Sequence, residues 1–190
     1  MNSTRGEART RDILEAVLEL LDEVGYEHLT IDALAARMGA SKMTIYRRWR
    51  DKRELVAQAL ASRAADHPEL PADAPSLRDD LLALVKLVAV IVSAESVRGF
   101  ASLVAAAQRD PVIAEAMRGG ALARRRADCR DVIQRAIGRG ELRDPGLAAV
   151  LFELIFGHYL VKHLIEGDAG DDHERFVDTV LLPVLLSGRP

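Results

Sequence analysis

One hundred and ninety residues, 49% hydrophobic and only 4% aromatic, suffice for one large or two small domains, and the abundance of alanine and leucine favours packed helices over sheets. A formal net charge of −3 and a pI near 6.0 exclude a globally basic coat for nucleic acid. A single cysteine, Cys129, excludes an intrachain disulfide and fits a reducing cytoplasm.

The chain opens on MNSTRGEARTRD, a polar start without the apolar core of a secretory leader. Thr4 and Glu7 are spaced as a capping box for a first helix, along which Ile13, Ala16, Val17, Leu20, Leu21 and Val24 form an apolar stripe that stops at Gly25. Tyr26 and Leu29 are placed to close over a small core. Thr30 caps the next helix, whose Ile31, Leu34, Ala35 and Met38 share one face, and Gly39 ends it in the left-handed conformation. Ser41 caps a second, short helix on which Ile45 and Trp49 point inward together. Two helices joined by a turn of about three residues that contains glycine have the helix-turn-helix layout.

The outward side of that second helix carries Lys42, Thr44, Tyr46, Arg47 and Arg48. From Arg37 to Arg53 the cations Arg37, Lys42, Arg47, Arg48, Arg50, Lys52 and Arg53 stand against the single acid Asp51, a local net of +6. Residues 1–64 as a whole are only +1, and the remainder −4, so positive charge is concentrated on one short element. A basic helix that can enter a major groove fits duplex DNA in charge and shape. The plainer alternative, a solvated basic face on a three-helix core, leaves unexplained why turn, caps, polar face and charge agree.

Asp51 and Glu54 form a second capping box, opening a helix to about Ala64 whose Leu55, Val56, Ala59 and Leu60 pack on the first three. Three prolines between Asp66 and Pro75 interrupt it, which places a domain boundary between residues 1–64 and 65–190. Ser76 opens a helix with Asp79 and Asp80 in its first turns; from Leu81 to Val92 it is apolar almost all round and reads as central and buried. Glu95 to Arg109 is a further helix with Phe100, Leu103 and Val104. Asp110-Pro111 is a start signal for a helix toward Ile137, with Gly119-Gly120 a bend and Arg124, Arg125, Arg126 and Arg130 a solvated stretch. Asp144-Pro145 repeats the signal for a helix to about Glu166. Gly167–Gly170 breaks it, and Asp171 or Asp172 starts a last helix to about Leu186, bent in its final turn by Pro183. The sum is an all-α chain of about nine helices with no strand and no internal repeat. The apolar runs Leu81–Val92 and Val150–Ile165 carry Lys86 or Glu153, His158 and Lys162, and read as too short or too polar to span a membrane.

The helix after Pro145 carries Leu147, Val150, Leu151, Leu154, Ile155, Tyr159, Val161 and Ile165, and the last adds Phe176, Val177, Val180, Leu181, Val184 and Leu185. That is more apolar surface than one core needs, an argument for a dimer. No glycine-rich phosphate loop, Gly-x-Ser-x-Gly elbow or His-Glu-x-x-His helix is present, so no catalytic residue, cofactor or metal is assigned and the chain does not read as an enzyme. His158, His163 and Glu166 are a weak metal trio, poorly spaced for one helix face. Cys129, near Arg126 and Arg130, is either an inert core residue or a cation-activated redox thiolate.

The stretch from about Arg9 to Leu60 resembles the amino-terminal domain of the TetR/AcrR family of transcriptional regulators. The likeness runs through Val24-Gly25-Tyr26, Leu29-Thr30-Ile31, Ala35-Ala36-Arg37-Met38-Gly39, Ser41, Thr44-Ile45-Tyr46, Trp49 (often Phe in the family), Lys52 and Leu55. Beyond Leu60 the likeness is one of size, helical pattern and element order. The resemblance implies a helix-turn-helix head and a larger helical body that binds a ligand and dimerises. It implies phosphate contacts from Thr30, Tyr46 and Lys52, groove contacts from Ser41, Lys42, Thr44 and Arg47, and either role for Arg48. It further implies a homodimer through the last two helices on a palindromic operator of double-stranded DNA, with half-sites about one helical turn, near 34–36 Å, apart. A small hydrophobic or amphipathic effector entering the body would shift the spacing of the heads and release DNA. Phe100, Leu103, Val104, Met117, Phe152, Phe156 and Tyr159 are the candidate lining of its site.

Overall fold

The computed structural model describes residues 2–66, 68–92, 96–167 and 172–187. Among the described residues the chain is helical, with no strand: α1 (Asn2–His28), α2 (Ile31–Arg37), α3 (Lys42–Tyr46), α4 (Lys52–Ala65), α5 (Leu77–Ile91), α6 (Val97–Ala107), α7 (Pro111–Gly119), α8 (Ala121–Gly138) and α9 (Leu147–Val161). A wider π-helical turn (Lys162–Glu166) continues α9; α10 (His173–Phe176), a second π turn (Val177–Leu181) and α11 (Leu182–Leu186) form a last unbroken run.

Most helix starts are where the cap residues put them. The side chains of Thr30, Ser41, Asp51, Ser76 and Asp110 each accept from a backbone N–H in the turn they open. Three boundaries differ from expectation. The first helix already runs from Asn2, so Thr4 lies inside it and not at its cap. The helix expected from 111 toward 137 is two helices, broken at Gly120 (ψ −127°). Asp144 caps a turn, accepting from Gly146 N at 2.7 Å, and the helix proper begins at Leu147. Glu95, expected to open a helix, residues 168–170 of the expected break and Asp171, one of two expected starts of the last helix, lie outside the described residues; Gly167 (φ 67°) ends the turn before them. The π turn just ahead of Pro183 is the backbone's answer to a ring that removes an N–H and crowds the carbonyl four residues back.

The chain forms two compact units that do not divide at residue 64. The first comprises Met1–His67 with Glu95–Leu122, the second Pro68–Ala94 with Ala123–Pro190. In the first, α6 and α7 pack on α1 and α4. Gly99 permits the approach of α6 to α1: a Cβ there would collide with Asp22 Oδ1 and lie 3.1 Å from the Leu21 carbonyl. Ser102 Oγ accepts from Tyr26 N at 2.8 Å, and Arg63 clasps Asp22 at 2.7 Å. One apolar core therefore joins Ile13, Val17, Leu21, Leu34, Ile45, Trp49, Leu55 and Ala59 with Leu103, Ala106 and Ile113.

In the second unit α5 packs on α9 and on the last helical run. It is less enclosed than its composition suggested: Leu81, Leu84, Val85 and Val88 are buried but Val90 is 70% exposed. Asp80, fully buried, is held by Arg135 Nε at 3.0 Å on one carboxylate oxygen and Arg139 Nη2 at 2.8 Å on the other. Arg125, expected in water with its neighbours, is instead buried on α8, while Arg124, Arg126 and Arg130 are exposed. The continuous helix Leu147–Glu166 corrects a second expectation: by length and composition alone its 20 residues would suffice to cross a bilayer. Its apolar surface is shared out within the unit, Leu151, Phe152, Ile155 and Tyr159 buried and Val150, Val161, Leu164 and Ile165 exposed.

Candidate nucleic-acid interface

The turn between α2 and α3 is built from backbone bonds. Ala40 N donates to Ala35 O at 3.0 Å and Gly39 N to Ala36 O at 3.3 Å, the paired closure that needs a left-handed residue, and Gly39 supplies it with φ 55°. Ile45, with no exposed surface, and Trp49, 2% exposed, then pin the inner side of α3 and the turn after it. Trp49 Nε1 donates to Gln58 Oε1 on α4, which fixes the indole. With one side pinned, a five-residue helix presents the rest to solvent.

Thr30, Ser41, Lys42, Tyr46 and Arg47 are exposed, and Thr44, Arg48 and Lys52 are half-buried. Their side chains are not equally free. Thr30 Oγ1 accepts from Ala33 N at 3.1 Å, and Ser41 Oγ lies 3.3 Å from Thr44 N and 3.0 Å from Thr44 Oγ1, so three hydroxyls are engaged in the caps. Lys42 Nζ pairs with Asp32 at 2.7 Å, bridging α3 to α2. Arg48 Nη1 turns back to the Thr44 carbonyl at 3.4 Å. Lys52 Nζ donates to the Tyr26 carbonyl at 2.9 Å and sits 4.3 Å over the Tyr26 ring. Burial, with the charge of Asp110 adding, pushes the Tyr26 phenol up to about 12, so it stays neutral beneath that ammonium. Arg47 has no ion pair among the described residues and projects from α3 beside Tyr46, itself 50% exposed.

The local charge is also more compensated than a count along the chain suggests. Arg37 pairs with Glu23, Arg50 with Glu54, and Arg53 with Asp51, all at exposed positions. Such pairs are screened by water and exchange readily, so a phosphate can replace the carboxylate at little cost. One residue of the surface was missed: Met43, 73% exposed, which completes an outward face with Lys42, Tyr46 and Arg47. Its signal was its position, two before the buried Ile45 on the same short helix.

The seven candidate lining residues separate. Phe100, Leu103, Val104 and Met117 belong to the first unit, where Leu103 is core, Met117 packs against that core and Val104 is 40% exposed. Phe152, Phe156 and Tyr159 belong to the second, with the two phenyl rings stacked at 5.4 Å. Around Tyr159, the phenol meets His173 Nδ1 at 2.6 Å and His158 stacks on Phe176 at 3.8 Å, ring to ring. Burial, then the charge of Lys162, lowers the His158 pKa. No group of three or more metal-ligating side chains converges among the described residues. Cys129 is 1% exposed, and burial, with Asp128 adding, pushes its thiol up to about 12, overriding the nearby arginines. Millimolar peroxide should therefore leave DNA binding unchanged in the parent chain and in Cys129→Ser alike; protection by the substitution would restore the redox reading.

Residues 13–59 match the family model described as bacterial regulatory proteins, tetR family, and residues 71–180 match that for the tetracyclin repressor-like C-terminal domain. An uncharacterized HTH-type transcriptional regulator of Mycobacterium tuberculosis is 34% identical over 181 residues, 93% of this chain and 88% of that protein. A DNA-binding transcriptional repressor TetR of Mycobacteroides abscessus is 32% identical over 97% of both chains. A crystal structure of a Mesorhizobium loti protein described as a TetR-family regulator shares the fold, with a TM-score of 0.78 over 95% of this chain and 96% of that one at 24% identity. The motifs, the pinned helix-turn-helix and these matches over both parts of the chain lead to one assignment: the protein belongs to the TetR family of DNA-binding transcriptional regulators, and is not an enzyme.

Proposed function

We propose that the chain is a cytoplasmic, ligand-responsive repressor that binds a palindromic operator as a homodimer and is released by a small hydrophobic or amphipathic effector. The observation that carries this reading is the outward face of α3, where Lys42, Met43, Tyr46 and Arg47 stand exposed over an inner side held by Ile45 and Trp49. Tyr46 and Arg48 reach phosphates, Lys42, Thr44, Ser41 and Arg47 lie along the base edges, and Thr30 places the start of α2 against the backbone. Lys52 contributes by holding Tyr26 in place beneath the α4 start, and turns to DNA only by giving up that bond. The repressor sense follows the similarity to the Mycobacteroides abscessus protein.

The dimer reading is supported by Val150, Val161, Leu164 and Ile165 on α9 and its π turn and by Val184 on α11, all large apolar residues between 39% and 78% exposed. Such a surface on two neighbouring helices is what a four-helix bundle with a second copy would cover. By function the chain then divides at about 64/65, although α6 and α7 pack in the same unit as the head. A ligand that moves α6 or α7 acts on α1 and α4 through that packing, and any shift it causes is limited to its differential affinity for the two states.

The test is to select DNA fragments from a random pool with the purified full-length protein and titrate the winners with salt. A two-fold symmetric sequence and an affinity that falls steeply with salt are expected; asymmetric or salt-insensitive selection would overturn the reading. On the selected operator, Tyr46→Ala should weaken all sequences alike. Lys42→Ala should change which base is preferred, by about 1–3 kcal/mol at one position. Equal losses on every operator for Lys42→Ala would place it on phosphate instead.

A further inference from the structure

Arg125 is 1% exposed, and none of its three guanidinium nitrogens has a hydrogen-bond acceptor among the described residues. Its nearest carboxylate is Asp128, one turn along α8, at 3.0 Å from Nη1 to Oδ2, yet too poorly aligned to bond, since that oxygen too lacks a partner. Asp128 is itself 3% exposed and is shared with Arg124 at 3.5 Å, which also reaches Glu69 at 3.4 Å. Burial holds the Arg125 guanidinium below its ordinary pKa and pushes the Asp128 carboxyl above its own. This is an unfavourable arrangement for stability alone: a guanidinium offers five donors in a rigid fork, and a buried ion pair without good hydrogen bonds is no better than an apolar pair of the same size. Below Arg125 the same face of α8 continues with Cys129, Val132, Ile133 and Ala136, each 0–1% exposed. One cation with unused donors heads an apolar stripe.

We infer that Arg125 is the recognition residue for an anionic effector, an apolar molecule ending in a carboxylate whose two oxygens take the guanidinium fork in place of Asp128. This rests on the reading that the body binds a small effector, and narrows its class. A carboxylate matches two parallel N–H bonds of the fork, and as a monoanion it loses its water at lower cost than a phosphate dianion. The residues beneath, each at most 1% exposed, line an apolar tail only once their present neighbours give way, and side chains on a helix slant toward its N-terminus and carry the charge to that end. Asp128 acts as the internal competitor that occupies the charge when the effector is away.

The experiment is calorimetric titration of octanoate, and of 1-octanol as the uncharged probe of equal chain length, into the full-length protein, Arg125→Met and Asp128→Asn. Operator affinity is measured on the same samples. The parent should bind octanoate in preference to octanol. Arg125→Met should bind it about tenfold or more weakly, and Asp128→Asn about tenfold more tightly, as expected for losing or freeing one charge-assisted pair. Octanol binding as well as octanoate, no octanoate binding by the parent, or unchanged affinity in Arg125→Met would overturn the inference. If Arg125→Met does not fold, Asp128→Asn decides: tighter octanoate binding supports the assignment, unchanged or weaker binding sinks it. Intact operator binding with no response to octanoate would end this inference alone, whereas a parent protein with no sequence-selective DNA binding would end the regulator reading.

Discussion

Asp80→Ala is expected to destabilise the second unit by about 3–5 kcal/mol, the usual cost of removing one partner from a buried ionic cluster. Asp80 has no exposed surface, while Arg135 and Arg139 keep about a quarter of theirs, so the carboxylate is the enclosed member and its two arginines converge on it from α8 and the residue after it. Removal leaves both guanidinia, three-quarters enclosed, without the carboxylate that bridges them. Arg139 would retain Glu141 at 3.0 Å, which tempers the loss on that side. Calorimetric unfolding should show a melting temperature lower by on the order of 10 °C, given about 2–4 °C per kcal/mol for a chain of this size. Asp80→Asn, which keeps the shape and one acceptor, should fall between. A change below about 1 kcal/mol for Asp80→Ala would mean that the cluster contributes no more than an exposed pair.

Trp49→Ala carries the other large expectation. It should cost about 3–5 kcal/mol in the first unit, because an indole 2% exposed cannot be replaced by water without collapse of the turn behind α3. Operator binding should then be lost at temperatures where the parent is folded, although Trp49 touches no DNA in the proposed pose. Trp49→Phe separates packing from hydrogen bonding. It keeps an aromatic ring but gives up the bond from Nε1 to Gln58 and part of the indole's volume, and should lose about 1–3 kcal/mol while retaining operator preference. A Trp49→Ala protein that binds its operator normally would show that α3 is oriented by something other than its inner side.

Trp49 also illustrates what could be read in advance. Its inward direction followed from its place four residues after Ile45, and the Thr30, Ser41 and Asp51 caps followed from residue type and spacing, because each involves groups within three or four residues of one another. Gly39 belongs with them, since a left-handed residue closing a short turn is a property of one peptide neighbourhood. The face of the candidate interface was legible for the same reason, apart from Met43, whose exposure contradicts its apolar character. What a long side chain does with its charge was not legible. Lys52 could be assigned to DNA because a lysine reaches outward and inward equally well, and only the Tyr26 carbonyl, 26 residues away, draws it inward. Lys42 is similar, with Asp32 across the turn.

From the sequence by itself came the all-α class, the helix-turn-helix, the concentration of positive charge and the position of most helix starts, because these depend on periodicity and on contacts a few residues long. The tertiary structure alone decided that α6 and α7 share the core of the head, that Asp80 is enclosed by two arginines, and that Arg125 is buried while Arg124 and Arg126 beside it are not. Burial is set by what lies across from a residue, and the neighbours concerned, such as Gly99 against Leu21 and Asp22, are far apart along the chain. A charged residue shows no sign of this in its own stretch, since the cost of enclosing it is met by partners that only folding brings near.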